Sequence, residues 1–425
     1  MEDQSRSGFD GTQAPRTQGH SIGPSTSGSM KLPGYILRIV AIVLTFVSAI
    51  VMGVAKEPVT VIESNNSGQT VNTFTGSIRT RYSSAFVYFI VVNVIVLIYS
   101  IISLAMALLN RGGSRRIAMH LSIADLVMVV LLFSCNGAAA AISVVADKGL
   151  IRFAWPKFCY ALHKFCGHIK ASIILSMFAS MAYMLLVGLG IIDLHMRFQY
   201  ANISHFHLSH LISFFLSSPS VSLSLGMESQ FKPGFDGTQA AASRANEAAA
   251  ASPSLVRLPG FVLRGIAIVL TFISAIVMGV AKEDVTLIVG SVDSTTTISY
   301  NASIKSTYSA AYVYFIVANV LVFVYTLISL VISLANRSGS RSMELPLNIA
   351  DLLMVALLFS SNGAAIAIDI VAEHGQSRLG WGKFCGDVHK FCGHVAASIV
   401  LSMIASLAYM ILVTITMVGL HKGSQ

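Results

Sequence analysis

Apolar residues along this chain gather in long runs divided by short polar segments. In the first half the runs cover residues 36–55, 85–109, 117–146 and 169–192; in the second half they cover 262–281, 311–335, 345–372 and 395–418. Each run exceeds the roughly 18 residues that a helix needs to cross the hydrocarbon of a bilayer. The pattern predicts eight transmembrane helices. Residues 1–30 are rich in Ser, Gly, Gln and Pro and have no apolar centre, which predicts a disordered tail and no secretory signal.

The runs recur because the chain repeats itself. KLPGYILRIVAIVLTFVSAIVMGVAKE from Lys31 returns as RLPGFVLRGIAIVLTFISAIVMGVAKE from Arg257, and the offset holds without a gap through Asp125/Asp351, Trp155/Trp381 and Cys166/Cys392. At that offset Met1 of MEDQ meets Met227 of MESQ. Two tandem genes, or a gene model that joins them, account for such a chain. Residues 196–226 have no counterpart. Their apolar piece, 211–216, is too short to span a membrane, and Pro219 interrupts it. The predicted organisation is a tail over 1–30, a four-helix unit over 31–195, a linker with a second tail over 196–256, and a second four-helix unit over 257–421. The fold class is an all-α membrane protein of two tandem four-transmembrane-helix bundles. Four helices per unit return the chain to the side it started from, so the linker need not cross.

Composition sharpens the picture. At 54% hydrophobic and 11% charged residues over 425 positions, the chain falls far below the roughly 25% charge of soluble domains, which excludes an ordinary soluble enzyme. The net charge of +9 sits in short segments between apolar runs, with no basic face interleaved with aromatics, so nucleic acid is not expected as a partner. Cationic residues occur on both sides of the membrane, and the positive-inside rule does not fix orientation. Asn65 and Asn301 begin glycosylation sequons after the first helix of each unit, Asn336 begins one on the opposite face, and such sequons arise easily by chance. The polar N-terminus and the paired cysteines favour cytosolic termini.

Within the runs, Arg38 and Asp125, repeated as Arg264 and Asp351, lie at similar depth near the inner edge of the bilayer. Such charges either snorkel separately to water or pair; pairing, the preferred reading, sets the first helix of each unit against the third. Asn93, Asn136, Asn319 and Asn362, with Ser134 and Ser360, are candidates for interhelical hydrogen bonds, and Gly137 to Ala141 permits close helix approach. The loop before each fourth helix holds Cys159, His163, Cys166 and His168, repeated as Cys385, His389, Cys392 and His394. Zinc is one reading, although the spacing fits no common structural zinc pattern. A disulfide is the favoured one, and it requires the segment to turn, because seven residues of helix separate two α-carbons by roughly 10.5 Å. Trp155 and Trp381 are expected at the membrane–water boundary. Cys135 reads as a small packing residue.

Taken in order, LPGYILRIVAIVLTF with Arg38, SSAFVYFIVVNVIVLIYS, IADLVMVVLLFSCNGAAAAI with Asp125, and WPKFCYALHKFCGH resemble the plant Casparian strip membrane protein-like family. The second unit carries all four motifs, with WGKFCGDVHKFCGH from Trp381 as the last. The resemblance implies a multi-pass plasma-membrane protein with cytosolic termini and homo- or hetero-oligomers with related membrane proteins. Its founding members build a scaffold that positions wall-modifying enzymes. The tandem duplication departs from the family pattern of one unit. The loop after the first helix lacks the long signature of true Casparian strip proteins, so lignification does not carry over. No nucleophile–base pair, phosphate loop or carboxylate dyad appears on either aqueous side. The expectation is therefore a laterally self-associating scaffold, not an enzyme, with no cofactor and no metal. The alternative is a small-solute or ion transport protein, against which stands the lack of Gly- or Pro-broken helices at mid-membrane.

Overall fold

The computed structural model describes residues 31–64, 71–109, 115–216, 252–293, 296–335 and 344–423. The first unit runs α1 (Lys31–Val54), β1 (Lys56–Ser64), β2 (Val71–Arg79), α2 (Ser84–Leu109), α3 (Arg115–Lys148) and α4 (His163–Leu216). The second runs α5 (Ser252–Val280), β3 (Lys282–Asp293), β4 (Thr296–Lys305), α6 (Ala310–Ala335), α7 (Glu344–His374) and α8 (His389–Gly423). All eight helices are long and apolar enough to cross a membrane. Ile36, Val43, Phe46 and Ile50 on α1 and Ile174, Phe178 and Leu185 on α4 lie exposed. In water such faces would be liabilities; here they form the lipid-facing surface of a multi-pass membrane protein.

The tail over 1–30 and residues 217–251 lie outside the described residues. The unmatched stretch expected as linker from residue 196 begins as helix, because α4 continues to Leu216. No Gly or Pro interrupts 196–216, and extending an existing helix avoids the cost of nucleation.

A β-hairpin follows the first helix of each unit, an element not predicted from the sequence. β1 pairs antiparallel with β2 from Lys56↔Arg79 to Ser64↔Val71, and β3 pairs with β4 from Lys282↔Lys305 to Asp293↔Thr296. The strands are rich in Val, Thr and Ile, which suit a pleated backbone. An isolated hairpin is marginal, and each of these is tied to the bundle at its root. The Phe165 amide donates to Glu57 Oε2 at 2.8 Å, and the Phe391 amide to Glu283 Oε2 at 2.8 Å. These carboxylates cap the open N-termini of α4 and α8, where unpaired amides and the helix dipole favour negative charge. Hairpins and cysteine turns therefore share one face of the molecule.

The two units pack against each other chiefly through α3 and α7. A Cβ built on Gly137 would lie 2.0 Å from the Ser360 carbonyl oxygen, and one on Gly363 2.1 Å from that of Ser134. Backbone meets backbone at this crossing, and only glycine permits it. At the hairpin end, Gly149 (φ +71) and Gly375 (φ +70) terminate α3 and α7 in the left-handed conformation and turn the chain into loops closed by the bridges Leu150↔Trp155 and Gln376↔Trp381. These loops bring the two indoles together, ring centroids 5.8 Å apart and planes at 26°. Trp155 and Trp381 are 0% and 1% exposed, so they do not face lipid headgroups. A partner ring from the repeat offers more burial than the membrane boundary does.

Replacing Glu57 by Ala should release the Phe165 amide and cost about 1 kcal/mol, or roughly 2 °C of melting temperature for a unit of this size. Thermal unfolding of the purified chain in detergent checks this; an unchanged transition would show that the cap contributes nothing.

Candidate functional site

α1 carries Arg38 and α3 carries Asp125 into the bundle, where they are 7% and 3% exposed. The guanidinium meets the carboxylate in two parallel bonds, Nη1 to Oδ1 at 3.0 Å and Nη2 to Oδ2 at 2.6 Å. This fork-to-fork geometry suits arginine and no other cation. Two groups from α2 complete it. Ser103 Oγ accepts from Arg38 Nη1 at 2.6 Å, and the Tyr99 hydroxyl donates to Asp125 Oδ1 at 2.8 Å. The second unit repeats the set. Arg264 reaches Asp351 at 3.2 and 2.5 Å, Ser329 accepts at 2.5 Å, and the Tyr325 hydroxyl donates at 2.8 Å. A buried charge is tolerated only when paired and fully hydrogen-bonded, and three helices supply what each pair needs.

The fourth helix of each unit bolts the bundle together. Ser172, Ser176, Ser180 and Tyr183 lie along one face of α4 at helical spacing, and all are 0% exposed. Ser172 exchanges bonds with Ser48 of α1: Ser48 Oγ donates to the Ser172 carbonyl at 3.0 Å and Ser172 Oγ to the Ser48 carbonyl at 2.7 Å. Ser176 donates to Asn93 Oδ1 of α2 at 3.1 Å. Asn136 of α3 donates to Ser180 Oγ at 2.7 Å, and the Tyr183 hydroxyl meets Ser100 Oγ at 2.5 Å. On α8, Ser398, Ser402 and Ser406 take Ser274, Asn319 and Asn362 in the same way, and Tyr409 meets Thr326. The asparagines thus bond to serines of the fourth helix. Those serines, and Tyr99, Ser103 and their counterparts, escaped the sequence reading; only the serines of the fourth helix carried a legible signal, the four-residue spacing of Ser172, Ser176 and Ser180.

Cys159 and Cys166 are joined in a disulfide with α-carbons 5.7 Å apart, as are Cys385 and Cys392. The turn before α4 and α8 provides the approach that a continuous helix would deny. The sulfurs are spent on each other, and His168 Nδ1 rests on the Lys164 carbonyl at 2.7 Å. Cys135 is a buried free thiol. Asn65 and Asn336 lie outside the described residues, while Asn301 sits on β4 opposite Thr286.

A second constellation lies between the units, and each of its main contacts is made twice by equivalent residues. The Trp155 indole N–H donates to the Gly382 carbonyl at 2.9 Å, and that of Trp381 to the Pro156 carbonyl at 3.1 Å. Phe158 packs on Trp381 with centroids at 5.4 Å and Phe384 on Trp155 at 5.6 Å. The Arg152 guanidinium lies 5.3 Å from the Tyr308 ring centroid, and that of Arg378 lies 5.6 Å from Tyr82. Such exchange of partners defines a two-fold, isologous face.

The family model of the Casparian strip membrane protein domain matches residues 27–182 and again 253–408. CASP-like protein 1E1 of Musa acuminata is 55% identical over 202 residues, 46% of this chain and 100% of the relative. CASP-like protein 1E2 of Vitis vinifera is 35% identical over 196 residues, 46% of this chain and 99% of the relative. CASP-like protein 1E1 of Ricinus communis is 42% identical over 164 residues, 39% of this chain and 84% of the relative. No solved structure matches this chain.

Arg38→Leu should leave Asp125 buried without its partner at a cost of about 3 to 5 kcal/mol, read as lost monodisperse yield in detergent. Exchanging the two, Arg38→Asp with Asp125→Arg, should recover part of that yield. Wild-type yield and melting for Arg38→Leu and Asp125→Asn would contradict this account. In non-reducing peptide mapping, Cys159 should be recovered linked to Cys166 and Cys385 to Cys392; free thiols at all four positions are the opposing result.

Proposed function

Because the chain belongs to the Casparian strip membrane protein domain family, we propose that it is a non-enzymatic scaffold of the plasma membrane that associates laterally and organises a membrane domain. Its termini are cytosolic, and its hairpins and disulfide turns face the outside. Its partners are the lipid bilayer, further copies of itself or related four-helix membrane proteins, and extracellular wall-modifying enzymes gathered by the outer face. The observation that carries this reading is the reciprocal face between the units. A surface that fits its own copy is what lateral assembly requires. The reading draws further support from the bundle interiors, where Arg38, Asp125, Asn93 and Asn136 bond to neighbouring helices. In a transport path such groups would line a cavity for a moving solute.

The full chain, fluorescently tagged at its N-terminus, should recover slowly after photobleaching in the plasma membrane of plant cells. The same protein in liposomes should pass no more ion or small solute than empty vesicles. Free diffusion with measurable flux would replace the scaffold by a transporter. Added to intact cells, protease should spare a tag at the N-terminus and remove one beside Ser67; the reverse pattern would invert the topology.

A further inference from the structure

The face around Gly137 and Gly363 is closed within one chain, and its reciprocal contacts are ones that a unit of another chain could make; the bond from Gln376 Nε2 to the Tyr82 carbonyl at 2.6 Å is made once, because Leu150 stands at the equivalent position. Around the crossing, Ser134-Cys-Asn-Gly-Ala on α3 answers Ser360-Ser-Asn-Gly-Ala on α7. In each, a glycine receives the carbonyl of the serine three positions before the opposite glycine. A unit set against a second copy of itself therefore presents the same glycine to the same serine carbonyl. The aromatic end behaves likewise. The indoles donate to the carbonyls of equivalent residues, Gly382 and Pro156, and the guanidinium–tyrosine contacts join equivalent residues, Arg152 to Tyr308 and Arg378 to Tyr82.

We propose that this face is the self-association surface of the protein, closed in cis by its own two units and opened in trans to a unit of a second chain. The inference deepens the scaffold reading by naming the partner and the surface, and it rests on that reading only for its biological purpose. The link from α4 to α5 passes through residues 217–251. Covalent linkage of two binding faces in one chain keeps them at an effective concentration on the order of millimolar. At micromolar concentrations the cis pair wins, and the chain is a closed unit pair. Where chains crowd in one membrane, or where one face is blocked, the free face takes a unit from a neighbour. A chain with two such faces can then link to neighbours on both sides and extend an array, an exchange of identical elements of the kind known as domain swapping.

The test uses the full chain in detergent at about ten micromolar, far below the tethered concentration. Gly137→Ala and Gly363→Ala each set a methyl against a backbone carbonyl, a collision that no side-chain movement relieves. Alanine is also a better helix former than glycine, so the variants keep their helices. Wild type should run as one chain by multi-angle light scattering. Either single variant should shift in the majority to two chains, joined through the unit left unaltered, and the double variant should return to one chain. Singles that stay at one chain, or a double variant that dimerises as the singles do, would overturn the proposal. A second measurement does not depend on the variants. With a protease site introduced between residues 226 and 251, the cleaved halves of wild type should copurify and those of the double variant should separate. Wild-type halves that separate on cleavage would also overturn it. All readouts are made on purified protein, so a failure of pairing is distinguishable from a failure of domain formation in cells.

Discussion

In a bilayer, a helix gains nothing by exchanging one apolar neighbour for another, because lipid tails are as apolar as leucine. Helix order in this protein therefore depends on groups that lipid cannot satisfy. The Arg38–Asp125 pair, held by Tyr99 and Ser103, selects α1, α2 and α3 as neighbours. The stripe of Ser172, Ser176, Ser180 and Tyr183 selects the position of α4 against all three. Each neutral bond contributes about 0.6 to 2 kcal/mol, little singly, but a bundle in the wrong order would leave all of them unmade in hydrocarbon. The second unit solves the same problem with the same residues in the same places.

Between units the means are different. Backbones of α3 and α7 approach until only glycine fits, and dispersion over that close contact takes the place of the buried charge pairs inside each unit. Above it the stacked indoles and the guanidinium–tyrosine contacts seal the end of the pair that carries the hairpins and disulfides. The self-matching face between the units links the packing of the helices to the function proposed for the chain.

The eight helices and the tandem repeat were legible because uninterrupted apolar runs of membrane length are rare outside a bilayer and because the offset holds without a gap. Counting depth along the helices placed Arg38 and Asp125 at one level, and the structure sets them in contact. The groups completing that site were not legible. Tyr99 and Ser103 read as ordinary members of an apolar helix, and serine in such a helix carries no sign of whether it bonds its own backbone or a neighbour. The hairpins were missed because short strands in a connecting loop are overshadowed by the helices on either side. The burial of Trp155 and Trp381 contradicts the usual preference of indoles for headgroups. It follows from the repeat, which supplies each indole with a twin that no reading of one unit alone could include.

The central claim, that the two units meet face to face, can be read from the indoles themselves, because Trp155 and Trp381 are the two tryptophans of the chain. Indoles stacked at 5.8 Å are close enough for their transitions to couple. Circular dichroism of the purified full chain should show a pair of bands of opposite sign that disappears in both Trp155→Phe and Trp381→Phe. A wild-type spectrum equal to the sum of the two single-tryptophan spectra less that of the variant lacking both indoles would mean that the rings do not meet, and the paired arrangement of the units would be wrong.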